Sequence, residues 1–122
     1  MSAKRILVTE DDPSIRSLLA TILRRASYDV DTAVDGRDAV EKANATEYDV
    51  IVLDLMMPVV SGFEVLERLA VRTPKARFVV IMSAAPPDAI ARAKGANVFA
   101  TLHKPSAIDE IVATVGACIA AE

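Results

Sequence analysis

Two short apolar runs each end in carboxylates. Ile6-Leu7-Val8-Thr9 leads into Glu10-Asp11-Asp12, and Val50-Ile51-Val52-Leu53 leads into Asp54. Carboxylates brought together repel one another and lose hydration, so a cluster of them persists where a cation compensates the charge. A hard divalent ion, Mg²⁺ or Mn²⁺, suits all-oxygen donors. A third run, Val98 to Leu102, is followed by His103 and the cation Lys104, then Pro105. Acid, acid and base at three strand ends form a set suited to phosphoryl transfer. A metal and a lysine neutralise the phosphoryl oxygens while a carboxylate accepts the group. Asp11 and Asp54 are the expected metal carboxylates, and a backbone carbonyl just past Asp54 is a third donor. Glu10 binds either the metal or one of its waters.

The elements that must position these groups alternate along the whole chain. An unbroken apolar run of four or five residues reads as a strand buried on both faces, as in a parallel sheet. Five strands are expected: 6–9, 30–33, 49–53, 78–82 and 98–102. Between them lie helical patterns. Asp12-Pro13 reads as an N-cap and a first-turn proline, followed by Ile15, Leu18, Leu19, Ile22 and Leu23 at helical spacing. Gly36 punctuates before a second helix with Ala39, Val40 and Ala43. A third follows Ser61-Gly62 with Phe63, Leu66 and Leu69, and a fourth runs from Pro86-Pro87-Asp88 to Gly95. Ser106 caps a last helix that turns Ile108, Ile111, Val112, Val115 and Ile119 inward.

Alternating strands and helices imply an α/β three-layer sandwich, a doubly wound (βα)5 unit of flavodoxin-like type with strand order 2-1-3-4-5. Such folds bind ligands at the carboxyl ends of strands one and three, where the strand order switches. Those are the strands that end in Glu10-Asp11 and Asp54.

Bulk properties agree. The chain has 122 residues, 52% apolar but only 4% aromatic, and a net charge of −3. That is enough for one domain with a core of Val, Ile, Leu, Ala and Met. Basic residues are scattered, which argues against direct nucleic-acid binding by this domain. No apolar stretch reaches membrane-spanning length and no signal peptide is evident, so no membrane insertion and a cytoplasmic location are expected. Cys118 reads as a reduced packing residue.

The segments ILVTEDD (6–12), VLDLMMP (52–58), Ser61-Gly62, IMSA (81–84) and His103-Lys104-Pro105 resemble, in order, the receiver domain of two-component response regulators. The resemblance implies a single receiver over 1–122 without an output domain. It implies that Asp54 is the phosphoacceptor, that Glu10 and Asp11 are the acidic pair, and that Asp11, Asp54 and the Met56 carbonyl meet the metal. It also makes Ser83 the switch hydroxyl and Lys104 the phosphate-pairing lysine, with a cis peptide before Pro105. Thr101 stands where such domains usually carry an aromatic residue, and the stretch from Gly95 to Lys104 is about two residues long for the family. Phe99 and Thr101 therefore both stand as candidates for the switch position.

The implied partners are a sensor histidine kinase or a histidine phosphotransfer protein, and a downstream protein target met through the fourth helix, fifth strand and last helix. A homodimer, a relay shuttle, and a module of a larger regulator stay open. An aspartate-nucleophile phosphatase needs an acid two residues beyond the nucleophile, and Met56 stands there. A nucleotide- or flavin-binding domain needs a glycine-rich loop after strand one, and there is none. Met56 and Ala85 cannot position a hydrolytic water, so slow self-dephosphorylation is expected.

Overall fold

The computed structural model describes residues 3–54, 67–69, 71, 76–82, 98–103 and 107–121, and within those spans the side chains of Val80, Met82, His103 and Ala107 are left aside. In chain order the strands are β1 (Arg5–Thr9), β2 (Asp29–Ala33), β3 (Val50–Asp54), β4 (Arg77–Met82) and β5 (Val98–His103). The helices α1 (Pro13–Arg25) and α2 (Gly36–Ala45) follow β1 and β2, and a C-terminal helix spans Ala107–Ala120. All strand pairs are parallel, in the order β2-β1-β3-β4-β5, as expected. The expected third helix is helical at 67–69 and 71; its start and the whole of the expected fourth helix lie outside the described residues.

The sheet is buried because both faces are covered. Ile6, Val8, Val30, Val50, Val52, Val79, Ile81 and Leu102 pack with Leu19, Ala20 and Leu23 of α1 and with Ile111, Val115 and Cys118 of the C-terminal helix. Cys118 is buried in that cluster, the packing place expected of it. Leu7, Ile51, Leu53 and Phe78 alternate onto the other face, where α2 buries Ala39 and Ala43. Ile108, Val112 and Ile119 are half-buried against the first cluster, as the helical spacing requires. Leu18 departs from the apolar stripe and is 44% exposed. The stripe read from spacing is wider than the face that α1 turns to the sheet.

Helix ends are set locally. Asp12 is extended and its carboxylate accepts from the Ser14 and Ile15 amides (2.9 and 3.1 Å), with Pro13 at the first helical position. Asp35, not Gly36, caps α2, through a 2.8 Å bond from the Asp38 amide. Gly36 is the first residue of that helix rather than a break before it. The amine of Lys42 reaches the Thr32 carbonyl and the Asp38 carboxylate, tying α2 to β2. Edge strand β2 presents Asp29 and Asp31 outward, and charge on an edge discourages pairing with another chain. Burial and a 2.7 Å hydrogen bond to Asp31 push the Tyr48 phenol well above its ordinary pKa.

α1 closes in a Schellman motif. Tyr28 N donates to the Leu23 carbonyl (3.3 Å) and Ser27 N to the Arg24 carbonyl (3.0 Å), with Ser27 at φ 73°. Glycine usually fills that position, because a Cβ there costs roughly 1–2 kcal/mol. Ser27→Gly is therefore expected to raise the unfolding free energy by about 0.5–1 kcal/mol, the relief less the extra backbone entropy glycine loses. A urea denaturation midpoint that stays put or falls would refute that account of the turn.

Candidate metal centre and acceptor carboxylate

Register brings the acids level. Thr9 pairs with Leu53, so the next residues along β1 and β3 are Glu10 and Asp54. Asp54 in turn pairs with Ile81, and Ile81 with Leu102. β4 and β5 end at Met82 and His103, one residue before Ser83 and Lys104 in the chain. Glu10 continues the ladder beyond β1, its amide donating to the Ala33 carbonyl at 3.2 Å. The next two residues turn directly into the N-terminus of α1.

Glu10, Asp11 and Asp54 each offer one carboxylate oxygen, and those oxygens lie within 4.8 Å of one another. Glu10 and Asp54 are each 1% exposed, whereas Asp11 is open to solvent. Two unit charges at that spacing repel by roughly 3 kcal/mol at an effective dielectric near 20. Burial of two of the three adds a desolvation cost. The donor set fits a small, hard divalent ion. Octahedral Mg²⁺ with oxygens at about 2.1 Å places its ligands roughly 3–4 Å apart, so a small inward shift of the side chains completes the fit. Asp11 is the member of the cluster that faces solvent.

The loop that carries the acids is held from several directions. Glu10 Oε1 accepts from the Asp12 amide at 3.3 Å. Asp12 is spent on capping α1, as its place before Pro13 implied. The Arg16 guanidinium donates from Nη1 to the Glu10 carbonyl (2.9 Å) and the Asp11 carbonyl (3.3 Å). Sequence reasoning passed over Arg16; the available signal was its place one turn after the Asp12 cap.

Other expected site residues are distributed differently. Met56, Ser83, Lys104 and Pro105, with the cis peptide, lie outside the described residues, as does Ser106. Phe99 is half-buried against the cluster shared by α1 and the C-terminal helix. It sits at a register shift: Phe78 pairs with Val98 and Val79 with Ala100, which leaves Phe99 as an extra residue in β5. That bulge takes up part of the length between Gly95 and Lys104. Thr101 is half-exposed and pairs with Val80.

Comparison with known proteins agrees with this geometry. Residues 6–116 match the family model described as the response regulator receiver domain. The transcriptional regulatory protein TcrA of Mycobacterium tuberculosis is 40% identical over 119 residues, 96% of this chain and 46% of its own length. The chain spans about half the length of the curated relatives it matches. Among solved structures, the chemotaxis protein CheY4 of Vibrio cholerae superposes with a TM-score of 0.88 at 28% identity, covering 96% of this chain and 99% of that one. The response regulator TrrA of Thermotoga maritima, solved in complex with Mg²⁺-BeF, gives 0.80 at 30% identity over 94% and 98% of the two chains. The parallel sheet, its strand order and the acidic cluster at the ends of β1 and β3 are those of a signalling domain, and the chain belongs to the response regulator receiver domain family.

Proposed function

We propose that this receiver takes a phosphoryl group onto Asp54 in a Mg²⁺-dependent reaction and passes the signal on through a protein surface. The observation that carries the reading is the convergence of Glu10, Asp11 and Asp54 within 4.8 Å at the edge where β1 and β3 end. In the transfer, an oxygen of the Asp54 carboxylate bonds to phosphorus as the nitrogen–phosphorus bond of a phosphohistidine breaks. The donor imidazole leaves with the electron pair and takes up a proton. Asp11 and Asp54, with the Met56 carbonyl, would hold the cation, and Glu10 would hold it directly or through a water. Bound there, Mg²⁺ supplies charge neutralisation for the phosphoryl oxygens. The TrrA relative was solved in complex with Mg²⁺-BeF, which supports reading this acidic cluster as a Mg²⁺ site.

Lys104 and Ser83 directly follow β5 and β4 in the chain, and we assign them the pairing of the remaining phosphoryl oxygens. An acyl phosphate adds negative charge that a lysine and a hydroxyl satisfy only by moving toward it. Such a local charge event biases a two-state surface. That surface is assigned to the fourth helix, β5 and the C-terminal helix, with Phe99 or Thr101 reporting the switch. The donor is a sensor histidine kinase or a histidine phosphotransfer protein, and the readout is a protein partner or a second copy of the chain. The domain's acidic balance argues against its own direct contact with nucleic acid. No described helix is long and apolar enough to cross a membrane, and a cytoplasmic place fits the kinase it would serve. Because the chain spans about half of its curated relatives, a second reading is a receiver module within a longer regulator.

Three outcomes are expected. With Mg²⁺ and acetyl phosphate, intact-mass analysis gives one added phosphoryl group on the native chain and none on Asp54→Asn; a full-rate gain by the variant would reject the acceptor assignment. Asp11→Asn weakens Mg²⁺ binding by about tenfold or more, while in metal-free buffer it removes a repulsion and leaves the urea midpoint equal or higher. Finally, with Met56 two residues past Asp54 and Ala85 two past Ser83 in the chain, the phosphoform outlives seconds in Mg²⁺ buffer, and decay within seconds would contradict that expectation.

A further inference from the structure

The loop bearing Glu10 and Asp11 carries its own counter-ion. Arg16 lies just over one turn into α1, half-buried, with Nη1 reaching back 2.9 Å to the Glu10 carbonyl and 3.3 Å to that of Asp11. Asp12, between these carbonyls and the helix, is held by the Ser14 and Ile15 amides. Glu10 is held at its amide by Ala33. Asp11 is the exposed member, and the described contact to its backbone carbonyl comes from Arg16.

We infer that Arg16 is a positioning residue for the cation centre. It fixes the peptide units of both acidic residues, so that their carboxylates are aimed at Asp54 before any metal arrives. The inference rests on the reading of this pocket as a Mg²⁺ site. Ordering a loop and its side chains on binding weakens affinity, and ordering them beforehand restores it. Outer groups that orient metal ligands commonly account for about 10–100-fold in metal affinity. A positive charge so near a divalent ion acts the other way, because Coulomb repulsion alone disfavours the metal. The two roles of Arg16 therefore have opposite signs. Removing the side chain weakens Mg²⁺ binding if its hydrogen bonds dominate, and strengthens it if its charge dominates.

The experiment titrates the full chain with Mg²⁺ alone, followed by the amide resonances of residues 10, 11 and 54, with urea denaturation in EDTA beside it. Arg16→Met keeps the aliphatic stem but removes charge and donors, and its Mg²⁺ dissociation constant is expected to rise by about tenfold. Both bonds leave the single Nη1, and Arg16→Lys keeps the charge on a side chain one atom shorter and without the planar guanidinium; it is expected to fall between the two. A general loss of stability leaves the dissociation constant of the folded protein unchanged, so the titration separates positioning from mere structure. Equal or tighter binding by Arg16→Met overturns the inference. If that variant does not fold, Arg16→Lys decides: native-like or tighter binding overturns it, weaker binding supports it. No saturable shift in the native chain instead overturns the metal reading itself.

Discussion

The convergence of three carboxylates at one edge of the sheet is the constraint on which this site is built. Glu10 and Asp54 are buried within 4.8 Å of each other and of Asp11, an arrangement that disfavours folding at neutral pH. It is tolerable because the carboxylates stand at the end of a sheet whose interior is otherwise apolar. Ile6, Leu7 and Val8, with Val50 through Leu53, are wholly buried, and removing those side chains from water supplies the offset. The carboxylates concentrate negative potential at one edge, the charge the proposed divalent ion would compensate. The acidic cluster thus stands on a buried apolar base.

The same edge explains the division of labour among three consecutive acids. Asp12 faces the helix and satisfies the amides of Ser14 and Ile15. Glu10 faces the sheet, buried and bonded to the Asp12 amide. Asp11 lies between and is open to solvent. Identical chemistry is separated into cap, buried acid and exposed acid by a chain turning from strand into helix within three residues. Arg16, one turn on, returns a positive charge to the carbonyls that this turn leaves exposed.

At the opposite side of the sheet, β5 is less regular. Phe99 enters as an extra residue between two ladder pairs, and its ring packs beside the C-terminal helix. A bulge bends and twists the strand that carries it. It lies four residues before His103, at the strand that leads to Lys104.

Much of this was legible in the residues alone. Val50-Ile51-Val52-Leu53 has no polar alternation, so it had to be a strand covered on both faces, and it is. Asp12-Pro13 encodes its helix start through contacts spanning three residues. The alternation of such signals sufficed for a parallel sheet and for carboxylates at strand ends. Other features left no local signal. Ser27 at positive φ closes α1 where a glycine would have announced the turn. Leu18 is exposed because only packing decides which part of an apolar stripe meets the sheet. Asp35 rather than Gly36 bounds α2 because either residue type suits a helix start. The amino-acid sequence by itself determined which residues are acidic, which segments are strands, and where along each strand the acids fall. Tertiary structure alone decided that Thr9 pairs with Leu53 and that Glu10 and Asp54 are buried together. Those are long-range pairings, selected by the burial of whole faces rather than by any neighbour in the chain.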